Sequence, residues 1–187
     1  MGLIKYKLGT LITMSEEKNI NCKFGLDNLK GISIKKRFIE TKADMTDVSL
    51  HNYLIVPPNA FAYVTITSRN GEKITIAHND TEKTYIVSSS YVAFSVTRPD
   101  VIDSDYLFMF FNRPEFDRYS RFCSWGSARE AFTWDEMCDI EIRLPDLSTQ
   151  RKYADVFKSM GNSEAYRHFL DVICPILIKG SLEEAGA

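Results

Sequence analysis

Long apolar runs are missing: no stretch of the 187 residues approaches the roughly 18 that a membrane-spanning helix needs. The N-terminus, MGLIKYKLGTLITMSEEKN, has none of the uninterrupted apolar core of a signal peptide, so a soluble, cytoplasmic protein without membrane contact is expected. The four cysteines, Cys22, Cys123, Cys138 and Cys174, form no Cys-x-x-Cys pair and have no paired histidines nearby, which signals reduced thiols and neither a zinc site nor a redox pair. Only three histidines are present, His51, His78 and His168, scattered and never at metal-ligand spacing. No metal and no cofactor is expected. A basic excess is missing too. With 23 Lys and Arg against 25 Asp and Glu, the formal net charge is −2, and the pI is near 5.9. Domains that hold nucleic acid by bulk charge commonly have a pI above about 9, so any such contact here must rest on local positive charge.

Catalytic constellations fail one by one. Ser127 in Trp125-Gly-Ser-Ala-Arg129 lacks the second glycine of a nucleophile elbow, G-x-S-x-G. Asn112-Arg-Pro-Glu-Phe116 departs from the Asn-Pro-Pro-aromatic motif of adenine methyltransferases by an arginine and an extra residue, and no Gly-rich loop follows a strand to hold a nucleoside cofactor. Pro99-Asp100 and Pro145-Asp146 are not followed by the acidic-x-Lys of a metal-dependent nuclease, and Asp155-Val-Phe-Lys158 is one residue too long. The chain reads as a non-enzyme.

What is present is an ordinary globular composition, 44% hydrophobic and 26% charged, at a length that suits one domain. Residues 8–18 suit a short helix. From 53 to 97 the sequence reads as strands: YLIV (53–56), AFAYVTIT (60–67), KITIA (73–77), TYIV (84–87) and YVAFSV (91–96), rich in β-branched and aromatic residues and parted by turn formers. Residues 103–112 read as a helix capped by Asp103 or Ser104 and closed by Pro114, with a strand as the alternative that the dense aromatic run leaves open. Thr133-Trp-Asp-Glu136 has the capping-box pattern. Cys138–Leu144 alternates as a strand, stopped by Pro145, and Ser148 or Thr149 can cap a helix over 150–160 whose apolar face is Tyr153, Val156, Phe157 and Met160. Gly161-Asn162 interrupts that helix, and a second one is expected from 164 to 178, kinked or shortened at Pro175.

Positive charge is concentrated in three places. Arg113, Arg118, Arg121 and Arg129 stand against Glu115 and Asp117 in one segment, which also carries Ser127 and Gly126. Lys35-Lys36-Arg37 follows the alternating Gly31–Ile34, and Ser68-Arg69-Asn70 occupies a turn between two strands. Arginine donates in a rigid fork that fits a phosphate or the O6/N7 edge of guanine, and Ser and Asn add neutral hydrogen bonds. Core residues, turns and a solvated helix face account for the same residues without any ligand.

The ordered series Lys7-Leu-Gly9, Tyr53, Phe61-Ala-Tyr63, Val87 to Phe94, Asp105-Tyr-Leu107, Arg118-Tyr119, Trp125-Gly-Ser-Ala-Arg129 and Asp139 to Pro145 with Gln150-Arg151 resembles a target recognition domain of a type I restriction-modification specificity subunit, over about residues 3–160. The resemblance implies an α/β (α+β) fold with a twisted, mainly antiparallel sheet, flanking helices and a short C-terminal helical tail. Its domains would be a DNA target recognition domain, 1–160, and a shortened helical tail, 161–187. It further implies a non-catalytic, sequence-specific reader of double-stranded DNA, the half-length or truncated counterpart of a subunit that carries two such domains. Lys35, Lys36, Arg37, Ser68, Arg69, Asn70, Arg121, Ser127 and Arg129 would touch DNA. Tyr166, Phe169, Leu170 and Ile173 would contact a methyltransferase subunit or a second specificity half-subunit. A protein-interaction remnant that no longer reads DNA is the alternative.

Overall fold

A computed structural model of the chain describes residues 3–41, 45, 48–66, 73–124 and 131–160. Among the described residues ten strands and four α-helices follow in the order β1 (Ile4–Lys7), β2 (Ile12–Ser15), β3 (Lys30–Ile32), β4 (Phe38–Glu40), β5 (Leu54–Val56), β6 (Phe61–Val64), β7 (Ile76–His78), β8 (Tyr85–Val87), β9 (Tyr91–Val96), α1 (Ser104–Phe111), α2 (Pro114–Phe122), α3 (Trp134–Asp139), β10 (Glu141–Leu144) and α4 (Leu147–Met160). The main sheet has the order β2-β9-β6-β7, and three two-strand pairs, β1-β10, β3-β4 and β5-β8, accompany it. Every pairing among these strands is antiparallel. The α+β, mainly antiparallel architecture expected from the sequence is the one observed.

The main sheet is covered on both sides, and its side chains show why. Along β6, Phe61 and Tyr63 project to one face and Ala62 to the other, as the two-residue period of a strand demands. Phe61 and Tyr63 join Phe94, Phe111, Phe116 and Phe132 in the larger core, beneath the helices. Ala62 stands opposite Ala77 on β7 and Ala93 on β9. This row of small residues lets β5 and β8 pack closely, so that Leu54, Val56 and Val87 form a second core with Ala62 and Ala93.

Several local expectations hold and several give way. The Asp103 carboxylate caps α1, accepting from the N–H groups of Asp105 (3.0 Å) and Tyr106 (3.2 Å). Thr133 and Glu136 complete the capping box at α3. Residues 8–18, by contrast, are not a helix: a single 3-10 turn, Leu8–Thr10, leads into β2. Ile12 there pairs with Val96 on β9, and a strand's long-range hydrogen bonds override weak local propensity. The strand expected from Cys138 starts only at Glu141, because the capping box carries α3 through Asp139. The cap of α4 is Asp146 rather than Ser148 or Thr149. Its carboxylate accepts from the Thr149 N–H (3.1 Å) and both hydroxyls, and these bonds hold it down at about 2. On α4, Phe157 and Ala154 are buried, while Val156 is 40% exposed and leaves the expected apolar face.

Two residues of the quoted series have structural duties. Gly9 lies against α3 so closely that a β-carbon on it would sit 2.7 Å from Cys138 Cβ. Gln150 is fully buried, accepts from the Asp103 N–H (3.0 Å) and donates to the carbonyls of Val101 (2.9 Å) and Pro145 (2.8 Å), tying α4 to the start of α1 and the end of β10.

Candidate nucleic-acid interface

The tip of the β3–β4 hairpin is a tight turn closed by Ser33 N–H to Arg37 O (2.9 Å) and Lys36 N–H to Ser33 O (2.9 Å). Lys36 has φ of 58°, a left-handed conformation that costs a side-chain-bearing residue about 1–2 kcal/mol. That conformation accompanies an inward course. The Lys36 side chain is 4% exposed, and its ammonium donates to Asp117 Oδ1 on α2 (2.6 Å) and to Phe111 O at the end of α1 (2.6 Å). Asp117 Oδ1 also accepts from the Ile74 N–H (3.2 Å), just before β7. Burial pulls the Lys36 ammonium below its ordinary pKa, against the attraction of Asp117, and Lys73 adds to the lowering.

One carboxylate therefore fastens the hairpin tip, α2 and the lead into β7 to one another. A second link lies close by in the chain. Ile66, beyond β6, forms an antiparallel bridge with Ala131, and the Phe132 N–H donates to Thr65 O (2.8 Å). The segment 67–72 thus departs from the same backbone ladder to which the segment 125–130 returns.

Of the residues selected for DNA contact, Lys35 and Arg37 are exposed on the hairpin tip, and Arg121 is exposed on α2. Ser68, Arg69, Asn70, Ser127 and Arg129 lie outside the described residues. Tyr166, Phe169, Leu170 and Ile173, together with the expected helix over 164–178, also lie outside them. Lys36 leaves the DNA-contact set: its charge is committed inside the protein. In the sequence Lys36 is indistinguishable from its exposed neighbours, and Asp117, the residue that draws it in, was not singled out. The one available signal was the spacing of Phe116, Asp117 and Ser120, which share the buried face of α2.

The outer face of α2 carries Arg118, Tyr119, Arg121 and Phe122, all exposed. Arg118 makes a 3.3 Å surface pair with Glu115. Toward α3 and β10 the helix borders a different surface, a cavity of about 370 Å³ lined by Phe110, Phe116, Tyr119 and Ile140 and by the charges of Arg113, Glu115, Asp139 and Glu141. There Asp139 pairs with Lys7 (2.9 Å) and Glu141 with Lys5 (2.7 Å). Among the described residues no group of three His, Cys, Asp or Glu side chains could hold a metal ion, and no helix is long and apolar enough to cross a membrane.

No protein-family model and no curated protein matches the sequence. Solved structures do. The HsdS subunit from Thermoanaerobacter tengcongensis superimposes with a TM-score of 0.58 at 14% identity, over 85% of this chain and 42% of that one. A structure described as the basis of complex assembly and conformational transition of the type I R-M system gives 0.61 at 14% identity, over 85% and 42%. The fold is that of type I restriction-modification S subunits. The S subunit from M. genitalium adds a TM-score of 0.52 at 10% identity, over 85% of this chain and 39% of that one. The chain thus spans less than half the length of each of these S subunits. The resemblance drawn from the ordered series in the sequence and the likeness in three dimensions point to the same fold.

Proposed function

We propose that the chain is a target recognition domain that binds double-stranded DNA sequence-specifically. In this reading it is the specificity component, without catalysis of its own, of a type I restriction-modification complex in the cytoplasm. Adenine methylation and cleavage belong to partner subunits, and a methyltransferase subunit is the first partner, with a second specificity half-subunit as a further one. The observation that carries this reading is the convergence on an S-subunit fold: the hairpin tip with Lys35 and Arg37, α2 with Arg121, and the ends of segments 67–72 and 125–130 are linked through Asp117 and the Ile66–Ala131 bridge. Lys35 and Arg37 on the hairpin tip and Arg121 on α2 supply, in a chain of net charge −2, the kind of local positive charge that DNA contact requires.

The test is affinity for a random-sequence duplex pool across a salt series, followed by selection of the bound sequences. Sequence-specific binding, with log affinity falling linearly against log salt, is expected. Arg37→Ala and Arg121→Ala each lower the slope by about 0.9 if the side chain holds one phosphate. Arg69→Ala changes the selected sequence, at a cost in discrimination of about 1–3 kcal/mol for a bidentate guanine contact. Absence of binding at low salt refutes the reading in favour of a protein-interaction role.

A further inference from the structure

Phe122 is the most exposed large apolar side chain of the described residues, at 81%. A phenylalanine on the last turn of a helix has two ordinary situations: its ring covers a neighbouring surface, or it awaits a partner. Among the described residues the ring covers no neighbouring surface. The buried face of α2 is complete without it, with Phe116, Asp117 and Ser120 turned inward. Phe122 takes no part in either core cluster, and it does not line the cavity on the α3 side of the helix.

The surroundings of the ring indicate the chemistry of that partner. Arg118 stands one turn behind Phe122 at i−4, close enough for the two side chains to act on one object, and Arg121 precedes it directly. Arg118 is engaged only at the surface, by Glu115 at 3.3 Å, a type of pair worth about 0–1 kcal/mol and readily exchanged for a phosphate. The two arginines also offset the negative end of the helix dipole, which would otherwise repel a polyanion. Of the acidic side chains near α2, Asp139 and Glu141 belong to the cavity side and are paired with Lys7 and Lys5, and Glu115 is paired with Arg118. The helix itself is held firmly, because Asp117, one turn before Arg121, is the carboxylate that grips Lys36 and the Ile74 N–H. An exposed aromatic side chain on an anchored helix that also carries Arg118 and Arg121 suits an apolar wedge in duplex DNA, where insertion of Phe between base pairs unstacks a step and kinks the helix.

We propose that Phe122 inserts into a base step of the bound duplex, with Arg118 on a flanking phosphate. The proposal rests on the DNA-binding reading above and adds a residue to it: the wedge favours a deformable step, so Phe122 contributes to sequence preference without a hydrogen bond to any base.

The experiment uses the full chain and a 30-bp duplex selected by the wild-type protein from a random pool, with single 2-aminopurine substitutions placed in turn along it. Wild type is expected to raise the fluorescence at one or two adjacent positions several-fold. Phe122→Ala is expected to abolish that rise and weaken binding about tenfold, within the range of alanine substitutions at base-stacking aromatics, while Phe122→Trp retains both. Circular dichroism and urea unfolding of the variants are expected to match wild type, since the ring is outside the core. If Phe122→Ala binds the selected duplex with wild-type affinity and an unchanged fluorescence pattern, the wedge is refuted and the DNA reading stands. If wild type selects no duplex at all, both fall. If Phe122→Ala instead abolishes self-association of the wild-type chain in sedimentation while DNA binding is intact, the ring belongs to a contact between copies and the wedge is again refuted.

Discussion

Removing the Lys36 side chain separates two roles that a sequence cannot distinguish, a lysine that holds DNA and a lysine that holds the protein. At 2.6 Å the attraction between its ammonium and Asp117 is roughly 6 kcal/mol at an effective dielectric constant of about 20. Desolvation of the two ions opposes it by several kcal/mol each, so the intact pair is close to neutral for stability. The asymmetry appears when one partner goes. In Lys36→Met the Asp117 carboxylate stays nearly buried with the Ile74 N–H as its remaining described donor, and losing one partner of such a pair costs about 3–5 kcal/mol. Urea unfolding is expected to report that loss, and Lys36→Met/Asp117→Leu to recover most of it, giving a large favourable coupling in the double-mutant cycle. The slope of log DNA affinity against log salt is expected to be unchanged in the double variant, because Lys36 contacts no phosphate. A slope lowered by about 0.9 with little change in stability would overturn the assignment of Lys36 to the interior and return it to the DNA surface.

Gly9→Ala places a methyl group 2.7 Å from Cys138 Cβ, and thermal unfolding is expected to show a loss of about 1–3 kcal/mol, the usual cost of overpacking. Gln150→Ala leaves the Asp103 N–H and the Val101 and Pro145 carbonyls without their partner, and a loss of about 3 kcal/mol in urea unfolding is expected. His78 is buried against Phe61, and burial lowers its pKa below the ordinary 6.5, opposed by Asp105, Asp80 and Asp103 and aided by Lys158. The unfolded chain therefore binds more protons just below pH 6.5, so the stability this group contributes is complete above that value and is lost as the pH falls toward the folded-state pKa. Unfolding measured at pH 7.0 and 5.5 is expected to show a smaller acid loss in His78→Phe than in wild type, and an equal loss in both would refute the role of His78.

How much of this was visible in the sequence depends on whether a signal was local. The strands from 54 to 96 were marked by β-branched and aromatic runs between turn formers, and the capping boxes and caps of α1 and α3 by side chains a few residues apart. The register Ala77, Ala62 and Ala93 was not visible, because each alanine is unremarkable until three strands are aligned. The strand at Ile12–Ser15 looked helical since its partner, β9, lies some 80 residues away. The start of α4 was displaced because a carboxylate at 146 and two hydroxyls after it are all adequate caps, and only geometry chooses among them. For the candidate interface, the sequence marks the cationic segments but not the contact between the β3–β4 tip and α2. Lys36 and Asp117 are separated by 81 positions, and the turn that sends one of three consecutive cations inward leaves no mark in composition.

The bridge between Ile66 and Ala131 bears on which sequence changes the fold tolerates. It joins residues 65–66 to 131–132 by backbone hydrogen bonding, so the joint does not depend on which side chains occupy the positions beside it. Lengthening a closed loop is cheap, about 0.6 kcal/mol for each doubling. Changes in chain length or sequence beside the joint are thereby kept apart from the aromatic core that Phe132 shares with Tyr63 and Phe116.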